Sequence, residues 1–227
     1  YITEFSAQQN TPYMIMVDFD SDRASGLEQI KTDLNYYIDG AQYPWSGGRI
    51  LDQDLNTGSS TLYVGRMEQG HYMDGDILEI IVFDKILSDD ERAKVNYYLS
   101  KKWGLESTVD SDGDGRGDVV DVAPTDPSVG IAQKDLSDTI DTVIGSTSDL
   151  DSIEDSLKLW IDASDIDGRG NVTLTNGQFI DSWKDLSGNE NHFQKDSDDM
   201  LPSYLKEYKE GYDIVDFTNA YIDTVLP

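Results

Sequence analysis

Short stretches in the first hundred residues alternate apolar and polar positions with a period of two. In PYMIMVDFD, Tyr13, Ile15, Val17 and Phe19 fall on one face and Asp18 and Asp20 on the other, which predicts a half-buried strand. LNYYIDG ends in Asp39-Gly40, the chemistry of a tight hairpin, and TLYVGRM follows the turn-like NTGSS. DILEIIVFD, residues 76–84, is nearly continuously apolar and predicts a strand buried on both faces. The strand signal resumes after residue 150. SLKLWIDASD alternates Leu157, Leu159 and Ile161, QFIDSWKD carries Phe179, Ile180 and Trp183, and YDIVDF precedes AYIDTVLP. The pattern predicts an all-β chain.

One segment breaks the period. In LSDDERAKVNYYLSKKWGL, Ser88 and Glu91 have the spacing of a capping box, with Asp89 and Asp90 at the positive end and Lys101 and Lys102 at the negative end. A helix over 89–102 follows, with Val95, Tyr98, Leu99 and Trp103 as its inward stripe and Gly104 as its stop.

Residues 106–150 are polar and acidic and read as a linker; within them KDLSDTIDTVIGS places Leu136, Ile140 and Ile144 at the spacing of a short helix. The linker opens on DSDGDGRGDVVD, Asp110 to Asp121. Its aspartates, Asp110, Asp112, Asp114, Asp118 and Asp121, stand at positions 1, 3, 5, 9 and 12, with Gly115 at position 6 and the main-chain carbonyl of Arg116 at position 7. Oxygen donors at this spacing around a turn-forming glycine fit a calcium ion, and Asp121 replaces the longer glutamate that usually closes such a shell. An EF-hand would need a long helix on each side, but proline-containing VAPTDPS follows. The loop resembles the unpaired calcium loops of thrombospondin type 3 and similar bacterial repeats, D-x-D-G-D-G-x-x-D followed by D-x-x-P-x-D-P, a resemblance that adds Asp126 to the shell or to a second ion. A weaker candidate is DASDIDGRGN, residues 162–171. There Asp165, Asp167, the carbonyl of Arg169 and Asn171 form either a partial cation shell or plain turn chemistry.

Composition narrows the setting. The chain has 227 residues, 37% of them apolar, enough for a real core, and 17 basic against 45 acidic residues give a net charge of −28. Nucleic acid and anionic membrane are poor partners for that field, which suits a medium rich in salt or divalent cations. There is no cysteine, so neither disulfides nor thiolate metal sites exist, and a prokaryotic cell exterior is favoured. No apolar run reaches the roughly 20 residues of a membrane span. Beginning at Tyr1 with neither initiator methionine nor signal peptide, the chain reads as an internal segment.

GDILEIIVFDKILSDDERAKVNYYLSKKWGL, residues 75–105, resembles the C-terminal end of bacterial laminin-G-like, or concanavalin A-like, jelly-roll domains. There a G-D-I-x-E-I strand leads into L-S-x-x-E-R and a helix ending in K-W-G-L. SLKLWIDASD, IDSWKDLSGNENHF and YDIVDFTNAYIDTVLP resemble the beginning of the same domain. The resemblance implies a jelly-roll sandwich present as two partial copies in reversed order, 1–105 and 151–227, joined by the calcium linker 106–150. Three arrangements follow: a window cut from a tandem array, which is the expectation adopted, a chain that pairs its own halves, or halves that complement between copies in a filament. Half a sandwich exposes unpaired strand edges and an apolar face, so each half needs a partner.

Signs of catalysis are few. The two histidines are His71 and His192, and no nucleophile elbow, phosphate loop or HExxH helix occurs. Glu79 and Asp84 differ by an odd number and so point to opposite faces of a strand, unlike a glycosidase pair. Binding is the more credible activity, since loops of the resembled fold hold sugars or proteins, often through calcium. In AQYPWSGGR, either Tyr43 and Trp45 stack on a glycan or Trp45 folds onto its own domain, while Trp103, Trp160 and Trp183 read as core. The expectation is a non-enzymatic, calcium-stiffened structural or adhesive segment of a large extracellular or cell-surface protein, with other copies or flanking repeats as partners. The alternative is a carbohydrate-binding module of an adhesin.

Overall fold

The computed structural model describes residues 5–19, 34–43, 60–67, 71–129, 151–194, 200–209, 211–218 and 220–226. The candidate helix on Leu136, Ile140 and Ile144 lies outside them. The fold is all-β with one α-helix among these residues, and every strand pairing is antiparallel. The chain forms two compact units that cut across the expected segments. One comprises Tyr1–Leu55 with Lys85–Asp155, the other Asn56–Asp84 with Ser156–Pro227.

The first unit holds a three-stranded sheet of β1 (Ile15–Phe19), β2 (Leu34–Ile38) and β3 (Ala41–Tyr43). Asp39 and Gly40 both have positive φ, 51° and 86°, and Ile38 pairs with Ala41, the two-residue turn that the D-G pair predicts. The buried side of β1 differs from expectation. Ile15 and Val17 are 60% and 51% exposed, and Met14 is buried instead.

Helix α1 (Asp89–Lys102) begins and ends as predicted. Ser88 Oγ accepts from Glu91 N, and Glu91 Oε2 accepts from Ser88 N at 2.9 Å. Lys85, 2.6 Å from Glu91, holds that carboxyl below its usual pKa. At the other end Gly104 takes φ 66° and Leu105 N donates to Ser100 O, closing the last turn. The inward stripe, however, is Ala93, Asn96, Tyr97, Ser100 and Trp103 together with Val95, while Tyr98 and Leu99 are half-buried. A hydrophobic pattern cannot find Asn96 and Ser100, because they are buried for their hydrogen bonds.

The second unit contains β4 (Ser60–Val64), β5 (Arg66–Met67), β6 (His71–Tyr72), β7 (Asp76–Ile77), β8 (Glu79–Phe83), β9 (Leu157–Asp162), β10 (Gln178–Phe179), β11 (Ser182–Trp183), β12 (Phe193–Gln194), β13 (Ser203–Lys209), β14 (Tyr212–Asp216) and β15 (Ile222–Leu226). Two four-stranded sheets form, ordered β10-β13-β14-β7 and β11-β12-β15-β4. Val64, Trp183, Phe193 and Ile222 of one sheet share a buried core with Tyr204 and Val215 of the other and with Leu159 and Ile161 of β9. Trp183 stacks on Phe217, centroids 6.4 Å apart. The expected single strand over 76–84 is broken: β7 pairs with β14, β8 pairs with β9, and Leu78 O between them accepts from Ala163 N. Its residues are half-buried, since each piece presents only one face to the core.

Strand β9 has a sheet neighbour, β8, on one side. Along its length the segment DLSGNENH acts as a substitute strand made of side chains. Asn189 Nδ2 donates to Leu157 O, Asn191 Nδ2 to Lys158 O and Leu186 N to Trp160 O. Asp185, 3% exposed, accepts from Trp160 N, Ser187 N, Ser187 Oγ and Asn191 N. The Asp185→Ala variant leaves those donors without an acceptor and is expected to destabilise the protein by roughly 3 kcal/mol. Urea unfolding followed by tryptophan fluorescence checks this, and a change under 1 kcal/mol counts against the substitute-strand account.

Candidate metal centre

The acidic loop is held within the first unit by two attachments. At its start, Asp110 N donates to Asp39 O at 3.1 Å, and a Cβ on Gly40 would stand 1.7 Å from Asp110 O. Only glycine permits this approach of turn and loop. At its middle, Asn96 Nδ2 donates to Ser111 O at 3.2 Å, and Ser100 Oγ donates to Asp118. The segment 109–121 is therefore packed on α1 and on the β2-β3 turn, not strung out as a linker.

Inside the loop each aspartate closes a turn on the amides that follow. Asp110 accepts from Gly113 N and Gly115 N, both at 2.8 Å, Asp112 from Asp114 N at 3.1 Å, and Asp114 from Arg116 N at 2.8 Å. Gly115 provides the φ of 94° that the sharp bend needs. These bonds bring one oxygen from each of Asp110, Asp112 and Asp114 within 4.8 Å of one another, a group that can hold a metal ion. Carboxylate oxygens have lone pairs to spare after one hydrogen bond each. Asp112 Oδ2 is buried and has no hydrogen-bond partner, an arrangement that leaves a desolvated acceptor to be satisfied by a cation. Burial pushes the Asp112 carboxyl up to about 6, against the hydrogen bond from Asp114 N, and the charges of Asp121, Asp114 and Asp110 add to the rise. Asp121 is thus close enough to feel the cluster, while its Oδ1 accepts from Ala123 N.

The other predicted ligands are placed differently. Asp118, 6% exposed, gives Oδ1 to Ser111 N and Oδ2 to the Ser111 and Ser100 hydroxyls, and burial raises its pKa. Asp126 is exposed and accepts from Ser128 N and Oγ, which lower its pKa.

In the weaker candidate, Asp165 accepts from Gly170 N, and Asp167 from Arg169 N, Asn171 N and Thr173 Oγ1. Slight burial pushes the Asp167 carboxyl up, but those hydrogen bonds outweigh it and hold the carboxyl below its usual pKa. Asn171 is buried, takes Ile166 N on Oδ1 and donates to Ala163 O and Asp213. These oxygens serve as turn acceptors.

Elsewhere, the Tyr43 ring lies edge-on to Phe5 at 6.0 Å, and Trp45 lies outside the described residues. Trp103 and Trp183 are buried as expected, and Trp160 is half-buried with its Nε1 on Glu79 Oε1 at 2.6 Å. Among the described residues no helix is long and apolar enough to cross a membrane. Comparisons with family models, with curated proteins and with solved structures find no match to this chain.

A cation in this group must displace the proton that Asp112 retains below about 6. In the metal-free protein the raised pKa means stability is greatest below the unfolded-state value and falls as pH rises through about 6. Excess cation holds the carboxylate ionised, and the contribution of binding to stability shrinks progressively as pH falls below about 6. Calcium titrations by calorimetry are expected to give a constant affinity above pH 7 and a fall of roughly tenfold per pH unit below 6. A flat profile down to pH 5 would remove Asp112 from the site.

Proposed function

We propose that the chain is a calcium-binding structural segment of an extracellular or cell-surface protein, built on a concanavalin A-like jelly roll. The observation that carries this reading is the buried, unpartnered Oδ2 of Asp112 beside Asp110 and Asp114, in a loop with thrombospondin type 3 spacing. An all-oxygen group of carboxylates suits calcium better than magnesium, which demands tighter octahedral geometry. Loops of this type bind in the range that millimolar extracellular calcium fills, and a charge of −28 is best tolerated where cations are plentiful. Two four-stranded antiparallel sheets around one core support the jelly-roll assignment.

The strands of 60–83 pair with those of 157–226 inside one chain, which supports the arrangement in which the chain pairs parts of its own two halves. Exchange of the same stretches between copies, or with flanking repeats, is the route to the filament or array that a structural role implies. The reading assigns no catalysis. Glu79 is held by Trp160, and Asp84 pairs with Lys158 at 2.9 Å.

Calcium is expected to raise the melting temperature by several degrees, EGTA to reverse the rise, and Asp112→Asn to abolish it. Differential scanning calorimetry reads all three, and equal melting temperatures with and without calcium would sink the proposal.

A carbohydrate-binding role is favoured by one separate observation. Tyr63 and Tyr72, 37% and 45% exposed, flank Tyr221, and the Arg66 guanidinium lies 4.2 Å and 3.9 Å from the Tyr63 and Tyr221 rings. Aromatic side chains as exposed as Tyr72 stack on sugars, and Arg66, lying over the Tyr63 and Tyr221 rings, adds a donor beside it. A glycan array comparing the wild type with Tyr72→Ala decides, with binding expected only for the former; an array without signal ends this second reading.

A further inference from the structure

Asp118 stands at the ninth position of the loop, where the spacing alone predicts a ligand. We infer that it is instead a positioning residue that fastens the cation loop to helix α1, so that cation binding and helix docking form one cooperative event. The inference rests on the reading of Asp110, Asp112 and Asp114 as the cation site.

Both oxygens of Asp118 are used by the protein. Oδ1 accepts from Ser111 N at 2.9 Å, and Oδ2 accepts from Ser111 Oγ at 2.7 Å and from Ser100 Oγ of the helix. Ser100, Ser111 and Asp118 are 0%, 4% and 6% exposed, so water cannot replace these bonds. Were Asp118 to turn toward the cation, the Ser111 amide and hydroxyl would stay buried without their acceptor, and Ser100 Oγ would keep only Tyr97 O, at 3.1 Å. Its own amide is fixed as well, donating to Val109 O at 2.8 Å. The helix takes a second hold on the loop, at Ser111, through Asn96, 1% exposed, whose Nδ2 donates to Ser111 O.

Ser111 lies between Asp110 and Asp112, so its position sets both neighbouring carboxylates. Any displacement of the helix is passed through Ser111 to the ligands, and any ordering of the ligands is passed back. Partners that only orient a ligand set are costly to lose, typically by tenfold or more in metal affinity.

The test compares full-length wild type, Ser100→Ala, Asp118→Asn, their double variant and Asp112→Asn. Calcium affinity is read by calorimetry, and thermal unfolding by circular dichroism in calcium and in EGTA. Ser100→Ala, which leaves the sequence of the loop itself unchanged, is expected to lower affinity roughly tenfold and to lower the melting temperature even in EGTA. Asp118→Asn should behave alike, and the double variant should lose far less than the product of the two single losses. Asp112→Asn should lose calcium binding without losing stability in EGTA. If Asp118→Asn abolishes calcium binding at unchanged stability in EGTA while Ser100→Ala binds normally, Asp118 is a ligand and the inference is overturned. A wild type that binds no calcium removes the cation reading itself, a result distinct from normal binding by Ser100→Ala, which removes only the coupling. Should Asp118→Asn fail to fold, Ser100→Ala alone decides between these outcomes.

Discussion

Strand β8 finds its hydrogen-bonding partner only after the chain has made a long excursion, and the second unit depends on that pairing. Glu79 to Phe83 lie against Asp162 to Leu157, β7 lies against β14, and β4 runs the full length of β15. Neither stretch holds a closed set of strands by itself. Val64, together with the partly buried Leu62, Ile77, Ile80 and Val82 packed against the cluster, is what the first stretch brings to a core dominated by the second. Each such side chain contributes about 1.5–3 kcal/mol when buried, whereas doubling the length of an intervening loop costs only about 0.6 kcal/mol. A long excursion between the two stretches is therefore tolerable, and residues 85–155 use it to build part of the first unit.

The first unit is held by different physics. Its helix buries Asn96 and Ser100 on the face where Val95 and Trp103 are also buried, and the polar pair meets a loop whose main chain and Asp118 supply the complementary groups. Buried polar contacts of this kind add little net stability but are expensive to leave unmade, so they fix the register of helix against loop more sharply than apolar packing would. The β2-β3 turn works by the same exclusion, since the contact of Gly40 with Asp110 O leaves no room for a Cβ.

What was legible in the sequence follows this division. Elements governed by local chemistry were readable: Ser88 and Glu91 at the helix start, Gly104 at its end, Asp39-Gly40 at the turn, and the alternation of Leu157, Leu159 and Ile161, all buried. Features set by distant partners were not. The break at Leu78 arises because two different strands claim its two sides, and a period-two alternation cannot tell that Ile15 and Val17 are exposed while Met14 is buried. The candidate site divides similarly. Spacing alone located Asp110, Asp112 and Asp114, but it could not tell that Asp118 would be drawn to the helix, since the serines that draw it carry no signal in a ligand pattern. Likewise DLSGNENH reads as a turn, and its role along β9 depends on main-chain groups remote in sequence.

The acidic loop also shows how much of a cation site a fold can prepare. Three carboxylates with oxygens within 4.8 Å of one another repel, and Asp112 is pushed up to about 6 first by its burial, with the charges of Asp121, Asp114 and Asp110 adding to the rise. Four main-chain amides, those of Gly113, Asp114, Gly115 and Arg116, offset part of it by donating into the cluster. The turn and the helix offset more by fixing the backbone on either side of Asp110 and Ser111. A loop so constrained has already lost most of the freedom that binding would otherwise remove, and a cation entering it meets oxygens already gathered. The remaining penalty is electrostatic, and a divalent ion is the ligand whose charge cancels it directly.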